Sequence, residues 1–208
     1  MVYGAVDVDM VAGPSEIVII ADGSVRADWL ALDMLAQAEH DEMAQAILIS
    51  ADSGLLDNVQ EELISMLDTM PRRQIIIKSL ANRCALIEVE EIGQAIALSN
   101  RIAPEHLELA IESPNKIVDR IEHAGAIFLG AGTPEVVGDY TAGPSHVLPT
   151  SGTARFGSPL GVYDFLVKTS IIECSNKGKL SLNRDAAIIA KEEGLYAHAL
   201  SAKSRLES

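Results

Sequence analysis

The sequence predicts an α/β protein with a mostly parallel sheet, helices on both faces of the sheet and a C-terminal helical extension. Short, nearly continuous runs of aliphatic and β-branched residues recur along the chain, which is typical of strands buried on both faces. Segments with apolar residues at helical spacing lie between these runs. Alternation of the two patterns over short connections favours a parallel sheet covered by helices.

The predicted strands and helices alternate from residue 16 to residue 129. The first buried run, Glu16–Ala21, ends at an Asp22-Gly23 turn, and Ser24 is a candidate N-cap of a helix that ends near His40. The elements that follow are a strand Ala46–Ser50, a helix through Leu55, Val59, Leu63 and Leu67, a helix Pro71–Asn82, a strand Ala85–Val89, a helix Ile92–Asn100, a strand Leu107–Ile111, a helix Pro114–His123 and a strand Ala126–Leu129.

The amino-acid composition of the chain changes after the last of these strands. From Gly130 to Gly161 it is rich in Gly, Pro, Ser and Thr, and so long a loop in a compact domain is usually functional. A strand Phe165–Glu173 and a C-terminal helix Arg184–Lys203, interrupted near Gly194, are predicted beyond it. We therefore expect an α/β domain over residues 1–154 and an extension, strand plus helix, over residues 155–208.

Composition excludes several classes of protein. The 208 residues include 30 acidic and 16 basic side chains, a net charge of −14, which disfavours nucleic-acid and anionic membrane partners. A hydrophobic content of 48% excludes a disordered chain, and no apolar run reaches the roughly 20 residues of a membrane span. Residues 1–20 lack the basic start of a secretory signal, and Cys84 and Cys174 cannot form a disulfide framework. We expect a cytoplasmic protein in which both thiols are structural.

One set of polar residues has the composition of a metal site. Gln37 and His40 are three residues apart near the end of a predicted helix and therefore point the same way. Asp139, in a Gly-Asp-Tyr turn, and His198 are candidates for a third and a fourth ligand. Two imidazole nitrogens and two oxygens suit zinc and are also compatible with manganese or cobalt. Taken singly, each histidine has an ordinary surface or structural interpretation.

Two further segments have both a functional and a structural interpretation. Glu105 and His106 lie where a helix ends and a strand begins, and a carboxylate beside an imidazole can activate water and move protons near neutral pH. The alternative is a carboxylate that accepts backbone hydrogen bonds beside a solvated histidine. The Gly13-Pro14-Ser15 segment is either an ordinary turn before a strand or a loop whose Ser15 hydroxyl faces a ligand.

No complete phosphate-binding loop is present in the sequence. Neither Gly-x-Gly-x-x-Gly after a strand nor Gly-x-x-x-x-Gly-Lys-Ser/Thr occurs, and the two glycines of Gly130-Ala-Gly132 are too weak a motif. The predicted fold is accordingly an incomplete Rossmann-like one.

Several long motifs follow one another along the chain. They are Asp9-Met-Val-Ala-Gly-Pro-Ser-Glu16, Gln37-Ala-Glu-His-Asp41, Asn100-Arg-Ile-Ala-Pro-Glu-His-Leu-Glu-Leu109, and the stretch from Ala126 to Phe165, which includes Thr133-Pro-Glu135, Gly138-Asp-Tyr140 and Ala142-Gly-Pro-Ser-His146. In this order they resemble the histidinol dehydrogenase family, the zinc- and NAD-dependent enzymes of the last two steps of histidine biosynthesis. The resemblance begins at Val2-Tyr-Gly4 and covers essentially the whole chain.

The resemblance implies a role for each matched residue. The implied zinc ligands are Gln37, His40, Asp139 and His198, the implied catalytic pair is Glu105 and His106, and the further implied contacts to the substrate, L-histidinol, are Ser15, His146 and Glu193. The zinc ligands and His106 are expected to contact the substrate as well. In the family the residues that match Glu193 and His198 reach the site from the neighbouring subunit, which implies a homodimer that exchanges its C-terminal helix.

The resemblance also implies a reaction, and it implies that the family's enzymes have an N-terminal half that this sequence does not match. L-histidinol would be oxidised through L-histidinal to L-histidine, with NAD accepting a hydride in each step. Family members are about twice as long, and their main NAD contacts lie in the N-terminal half. We therefore expect this chain to be weakly active or inactive alone, unless an N-terminal half-chain is present. Two alternatives stay open at this stage: a non-catalytic module that binds zinc or a small ligand, and an interaction subunit that contributes its C-terminal helix to a full-length partner.

Overall fold

The structure contains a five-stranded parallel sheet in the order β3-β2-β1-β4-β5. It is a computed structural model that describes residues 4–206, so Val2 and Tyr3 of the first matched motif lie outside the described residues. The strands are β1 Glu16–Ala21, β2 Gln45–Ser50, β3 Cys84–Glu88, β4 His106–Ala110 and β5 Ala126–Leu129. The helices are α1 Ala27–Ala38, α2 Ser53–Leu67, α3 Arg73–Arg83, α4 Ile92–Ile102, α5 Glu135–Tyr140, α6 Gly178–Glu192 and α7 Tyr196–Lys203. The predicted α/β class and the five strands up to residue 129 are confirmed.

Every residue of the central strand β1 is buried, which explains its continuous apolar sequence. Successive side chains of a strand point to opposite faces. Ile17 and Ile19 pack with α1, α2 and α3, whereas Val18 and Ile20 pack with α4 on the other face. The helices therefore cover both faces, as the buried runs predict.

At the carboxyl edge of the sheet, Asp22 joins the loops that follow β1 and β4. Its carboxylate accepts hydrogen bonds from the backbone N–H groups of Ser24 and Glu112, each at 3.0 Å. The Ser24 hydroxyl also donates to Asp22, so the prediction that Ser24 caps α1 is wrong: the helix begins at Ala27 and Arg26 occupies the N-cap position.

The predicted helix Pro114–His123 is also wrong. The structure has two single 3₁₀ turns there, Pro114–Lys116 and Val118–Arg120. Asn100 of α4 accounts for the interruption, because its side chain donates to the Arg120 carbonyl at 2.9 Å and accepts from the Glu122 N–H at 2.8 Å. A continuous helix would need both backbone groups for its own hydrogen bonds.

The chain divides into two compact units, the first ending at Phe165 and the second beginning at Leu166. The predicted boundary after residue 154 would instead place residues 155–165 in the extension. In the second unit α6 and α7 pack against each other. The break between them lies at Gly194, whose φ of 75° is in the left-handed region that favours glycine. The predicted interruption of the C-terminal helix is thus confirmed.

The predicted strand Phe165–Glu173 is absent. Phe165 ends a 3₁₀ turn, Val162–Phe165, and the following residues up to Cys174 have no regular secondary structure. A strand needs a neighbour for its backbone hydrogen bonds, and within residues 4–206 nothing pairs with this segment. Its apolar side chains are exposed, including Val167 at 93% and Ile171 at 94%.

No helix within residues 4–206 combines the length and the apolar composition needed to cross a membrane.

Leu48, on β2, has no exposed surface and belongs to the core between the sheet and α1–α3. We expect Leu48→Ala to lower the free energy of unfolding by about 2–5 kcal/mol, because the truncated side chain leaves a cavity that the packed sheet cannot close. Urea unfolding followed by circular dichroism measures the change. Ile64→Ala on α2 is the matched control, since Ile64 is 65% exposed; equal losses in the two variants would contradict this placement of the core.

Candidate catalytic and metal site

The candidate site is at the amino edge of the sheet, where β1 and β4 start side by side. Helix α4 ends at Ile102, and Ala103 has a left-handed φ of 55° that turns the chain toward Pro104. Glu105 and His106 follow at once, His106 being the first residue of β4. The parallel register pairs His106 with Ile17, so Glu16 lies beside the predicted catalytic pair.

The hydrogen bonds of His106 determine which of its ring nitrogens is free to act as a base. Its Nδ1 lies 2.9 Å from the Glu16 carbonyl oxygen and 3.2 Å from Gln37 Oε1. A carbonyl oxygen only accepts, so Nδ1 bears the proton and the lone pair is on Nε2. Burial lowers the pKa of His106 to about 4, and the ring is therefore neutral at pH 7.

His106 Nε2 faces two polar side chains of the segment after β5, His146 and Glu135. His146 Nε2 lies 2.8 Å from it and also 3.0 Å from Asp139 Oδ1, so a proton on His146 Nε2 has two acceptors. The two imidazole planes are 13° apart. Glu135 Oε1 lies 3.6 Å from His106 Nε2 and 3.5 Å from His146 Nε2.

Glu105 is a buried carboxyl group that is still partly protonated near neutral pH. Its Oε2 accepts a hydrogen bond from the Glu16 N–H at 2.9 Å and lies 3.7 Å from His106 Nδ1. Burial raises the pKa of Glu105 to about 7, and the charges of Glu16 and Asp139 act in the same direction. A carboxyl group with such a pKa can both release and accept a proton at physiological pH.

Glu16 connects several parts of the site. Its carbonyl orients His106, its N–H holds Glu105, and its Oε1 accepts from the Ser151 N–H at 3.2 Å. Ser15, the preceding residue, is half-buried, and its carbonyl accepts from the Gln45 N–H at 3.0 Å. Ser15 thus precedes the residue that contacts Glu105 and His106, while its contact with a substrate stays a prediction.

Two of the four predicted metal ligands contact His106 or its neighbour His146. Gln37, in the last turn of α1, is 1% exposed and its Oε1 contacts His106. Asp139, near the end of α5, contacts His146. His40 follows the end of α1, three residues after Gln37, and its coordination of a metal stays a prediction. The fourth predicted ligand, His198, is in the second unit on α7, and Glu193 follows the end of α6. The participation of these two residues in the site stays a prediction.

The residues present fit a divalent cation such as zinc. The Gln37 Nε2 is buried, and among the described residues it has no hydrogen-bond partner, so this amide is held in the site at a cost in free energy. Its oxygen, the imidazole of His40 and the carboxylate of Asp139 are ligand types that zinc accepts. A second group, His106, Glu135 and His146, also brings its potential ligand atoms within 4.8 Å of one another.

The comparisons with known proteins decide the family. A profile described as histidinol dehydrogenase matches residues 1–206. The chain belongs to the histidinol dehydrogenase family. The histidinol dehydrogenase of Nitrosomonas europaea is 56% identical over 206 residues, which are 99% of this chain and 48% of that protein. The enzyme of Nitrosospira multiformis is 57% identical over 204 residues, 98% of this chain and 46% of that protein.

A solved structure supports the same assignment. Histidinol dehydrogenase from Elizabethkingia anophelis matches with a TM-score of 0.86 and 36% identity, covering 96% of this chain and 46% of that one. The chain therefore spans about half the length of the histidinol dehydrogenases it matches. The resemblance predicted from the motifs is confirmed.

Sequence reasoning did not assign a role to four acidic residues of the site. They are Glu16, Asp33, Glu108 and Glu135. Three of them lie within motifs that carry the family resemblance: Asp9–Glu16, Asn100–Leu109 and Thr133–Glu135. Asp33 lies outside these motifs, one turn before Gln37, and has no such indication.

Glu105→Gln is expected to change how stability depends on pH. The folded protein keeps the Glu105 proton up to about pH 7, whereas an unfolded chain releases it near the ordinary glutamate value of 4.5. The free energy of unfolding therefore falls as pH rises through this window, and Gln, which still accepts from the Glu16 N–H, removes that fall. The stability difference between variant and wild type should grow from about pH 4.5 to about pH 7, by at most about 3 kcal/mol.

Urea unfolding of the metal-free chain at a series of pH values measures this difference. His106 has the opposite effect, since its lowered pKa makes stability rise between about pH 4 and pH 6.5. Its contribution is common to both proteins and cancels in the difference. Parallel curves for Glu105→Gln and wild type would show that Glu105 does not hold the proton.

Proposed function

We propose that this chain supplies the zinc, substrate and acid–base site of a histidinol dehydrogenase, which oxidises L-histidinol through L-histidinal to L-histidine with NAD. The observation that supports this most directly is the state of His106. It is buried and neutral, and the Glu16 carbonyl holds its Nδ1–H. Its Nε2 lone pair therefore faces His146, one of the predicted substrate contacts.

In the first oxidation His106 would act as the general base. When the carbinol carbon loses a hydride, the hydroxyl proton has to leave, and His106 Nε2 is the acceptor that the hydrogen bonding leaves available. The Glu16 carbonyl stabilises the imidazolium that forms, because it continues to accept from Nδ1–H. NAD, when bound, accepts the hydride in each oxidation.

In the second oxidation Glu105 would activate water for attack on the aldehyde carbon. Its carboxyl group is buried, and its raised pKa makes it a stronger base than an exposed glutamate. His106 again takes a hydroxyl proton, this time from the hydrated aldehyde. The two residues thus have separate tasks, one used in both steps and one mainly in the second.

Gln37, His40, Asp139 and His198 are proposed as the zinc ligands. Zinc, when bound, would anchor the imidazole and amino nitrogens of the substrate and so fix the carbinol carbon. Ser15, His146 and Glu193 are proposed as further substrate contacts. The Glu135 and Asp139 carboxyl groups, both near His146, would orient that side chain through its Nε2.

The partners of this chain are also part of the proposal. A homodimer that exchanges its C-terminal segment would bring Glu193 and His198 to the site of the neighbouring subunit. The exposed apolar side chains between Leu166 and Ile172 support an unfilled interface of this kind. The main NAD contacts are proposed to come from the half of the relatives that this chain does not match, supplied by a longer chain or by an N-terminal half-chain.

Two variants separate the tasks of the catalytic pair. His106→Asn keeps a donor for the Glu16 carbonyl but removes the Nε2 base, and it should lower the rate of both oxidations by about 10²–10⁴-fold. Glu105→Gln should lower mainly the oxidation of L-histidinal. NAD reduction is followed with L-histidinol and with L-histidinal, in the presence of zinc and an N-terminal half. Equal losses for Glu105→Gln on both substrates would contradict its role.

The proposed function itself is tested by complementation. NAD reduction with L-histidinol and zinc is measured for this chain alone and after mixing with a separately produced N-terminal half. We expect activity in the mixture, because the chain holds the acid–base pair and the other half supplies the NAD contacts. A folded, zinc-bound chain that stays inactive in the mixture would overturn the proposal and favour a binding module.

A further inference from the structure

We propose that Glu108 is a positioning residue: its carboxyl group holds α1 and α5 against β4, at the spacing that brings Gln37 and Asp139 to His106. The inference rests on the proposed zinc site, because Gln37 and Asp139 are two of its ligands. It concerns a residue that touches neither the substrate nor the metal in the proposed mechanism.

Glu108 is a polar residue in an apolar layer. It lies in the middle of β4, is 4% exposed, and pairs in register with Ile19 on one side and Phe128 on the other. His106 is two residues earlier and therefore on the same face of the strand. Elsewhere on this face the sheet presents apolar side chains such as Ile17 and Leu48.

Glu108 makes two hydrogen bonds that link other elements to β4, and each is called a tie below. The first tie is to the start of α5. The backbone N–H of Glu135, the first residue of this helix, donates to Glu108 Oε1 at 2.6 Å. This N–H has no partner within the helix. Asp139 follows four residues later, on the same side of the helix and one turn along. The hydrogen bond thus determines where the turn that carries Asp139 begins.

The second tie of Glu108 is to α1. The side chains of Glu108 and Asp33 form a hydrogen bond, for which one of the two carboxyl groups has to be protonated. Burial and then the charge of Asp33 raise the pKa of Glu108, so Glu108 keeps the proton at neutral pH and donates it to Asp33. Gln37 lies four residues after Asp33, again one turn along the helix.

The two ties have the same geometry relative to the proposed ligands. Each reaches a residue one helical turn before a ligand, and both come from one carboxyl group two residues after His106. The helices α1 and α5 also contact each other. An apolar residue at position 108 would fill the layer but would leave the Glu135 N–H and the Asp33 carboxylate without this partner. Outer contacts of this kind commonly set metal affinity through the ligands they orient.

Three variants of the full 208-residue chain test the inference, with zinc affinity measured by competition with a chromophoric chelator. Glu108→Met matches the length of the side chain but removes both ties, and it should weaken zinc binding about 10–100-fold. Glu108→Gln keeps an acceptor for the Glu135 N–H and a donor for Asp33, and it should bind zinc as the wild type does. Asp33→Ala, on a half-buried position of α1, removes one tie and should give an intermediate loss.

The control is Leu107→Ala, on the opposite face of β4, whose side chain packs with α4. It should lower the urea midpoint while leaving zinc affinity unchanged. The inference is overturned if Glu108→Met binds zinc as tightly as wild type, or if Leu107→Ala loses as much affinity. If Glu108→Met does not fold, Asp33→Ala decides in the same way.

A metal-independent measurement separates this inference from the proposed function. Hydrogen exchange of the Glu135 amide should be faster in Glu108→Met than in wild type and Glu108→Gln, because its acceptor is gone. A wild-type chain that binds no zinc would contradict the proposed metal site, and the exchange result then decides the role of Glu108. Unchanged protection of the Glu135 amide in Glu108→Met would overturn the positioning role.

Discussion

The hydrogen bond between His106 Nδ1 and the Glu16 carbonyl is the interaction on which the site depends. It exists because β1 and β4 are neighbours in parallel register, with Ile17 opposite His106. The same bond assigns the proton to Nδ1, leaves the lone pair on Nε2 and aims that lone pair at His146. A shift of one residue in this register would turn His106 to the opposite face of the sheet, toward α4. The chemistry of the imidazole is therefore set by the pairing of two strands.

Burial of carboxyl groups is the second constraint on the site. Glu16, Glu105, Glu108 and Glu135 are each less than a tenth exposed, and burial raises the pKa of all four. Backbone N–H groups compensate part of the cost: Glu105 accepts from Glu16, Glu16 from Ser151 and Glu108 from Glu135. The result is a neutral imidazole beside a carboxyl group that titrates near pH 7, so each of the two groups can accept a proton at neutral pH.

The sequence predicts most of the fold and part of the site. Buried strands were predictable because β1 and β2 are continuous apolar runs, a pattern that follows from burial on both faces. The helix at Pro114–His123 was not, because the side chain that interrupts it, Asn100, is distant in sequence. The strand at Phe165–Glu173 was predicted from β-branched residues, yet strand formation also needs a neighbour, which no composition reveals.

Contacts between residues that are distant in sequence also explain why the roles of Glu16, Asp33 and Glu108 in the site were not predicted. The motifs identify Glu105, His106, Gln37 and Asp139, but the role of Glu16 depends on its backbone carbonyl, which any residue would provide. The tie between Asp33 and Glu108 depends on α1 lying over β4. Neither feature has a signature in the side-chain sequence, and both become visible only when the strand order is known.

The position of His106 at the amino edge of the sheet limits where a hydride acceptor can bind. In open α/β sheets a dinucleotide ordinarily lies at the carboxyl edge, in the crevice where strand order reverses, which here falls between β1 and β4. Asp22 bridges the two loops at that crevice. From His106 to Ala110 the strand rises by about 13 Å, whereas reacting atoms need to approach within about 3–3.5 Å. A nicotinamide bound in that crevice would therefore be too far from His106 to react there, and the proposed function requires one that approaches the amino edge instead.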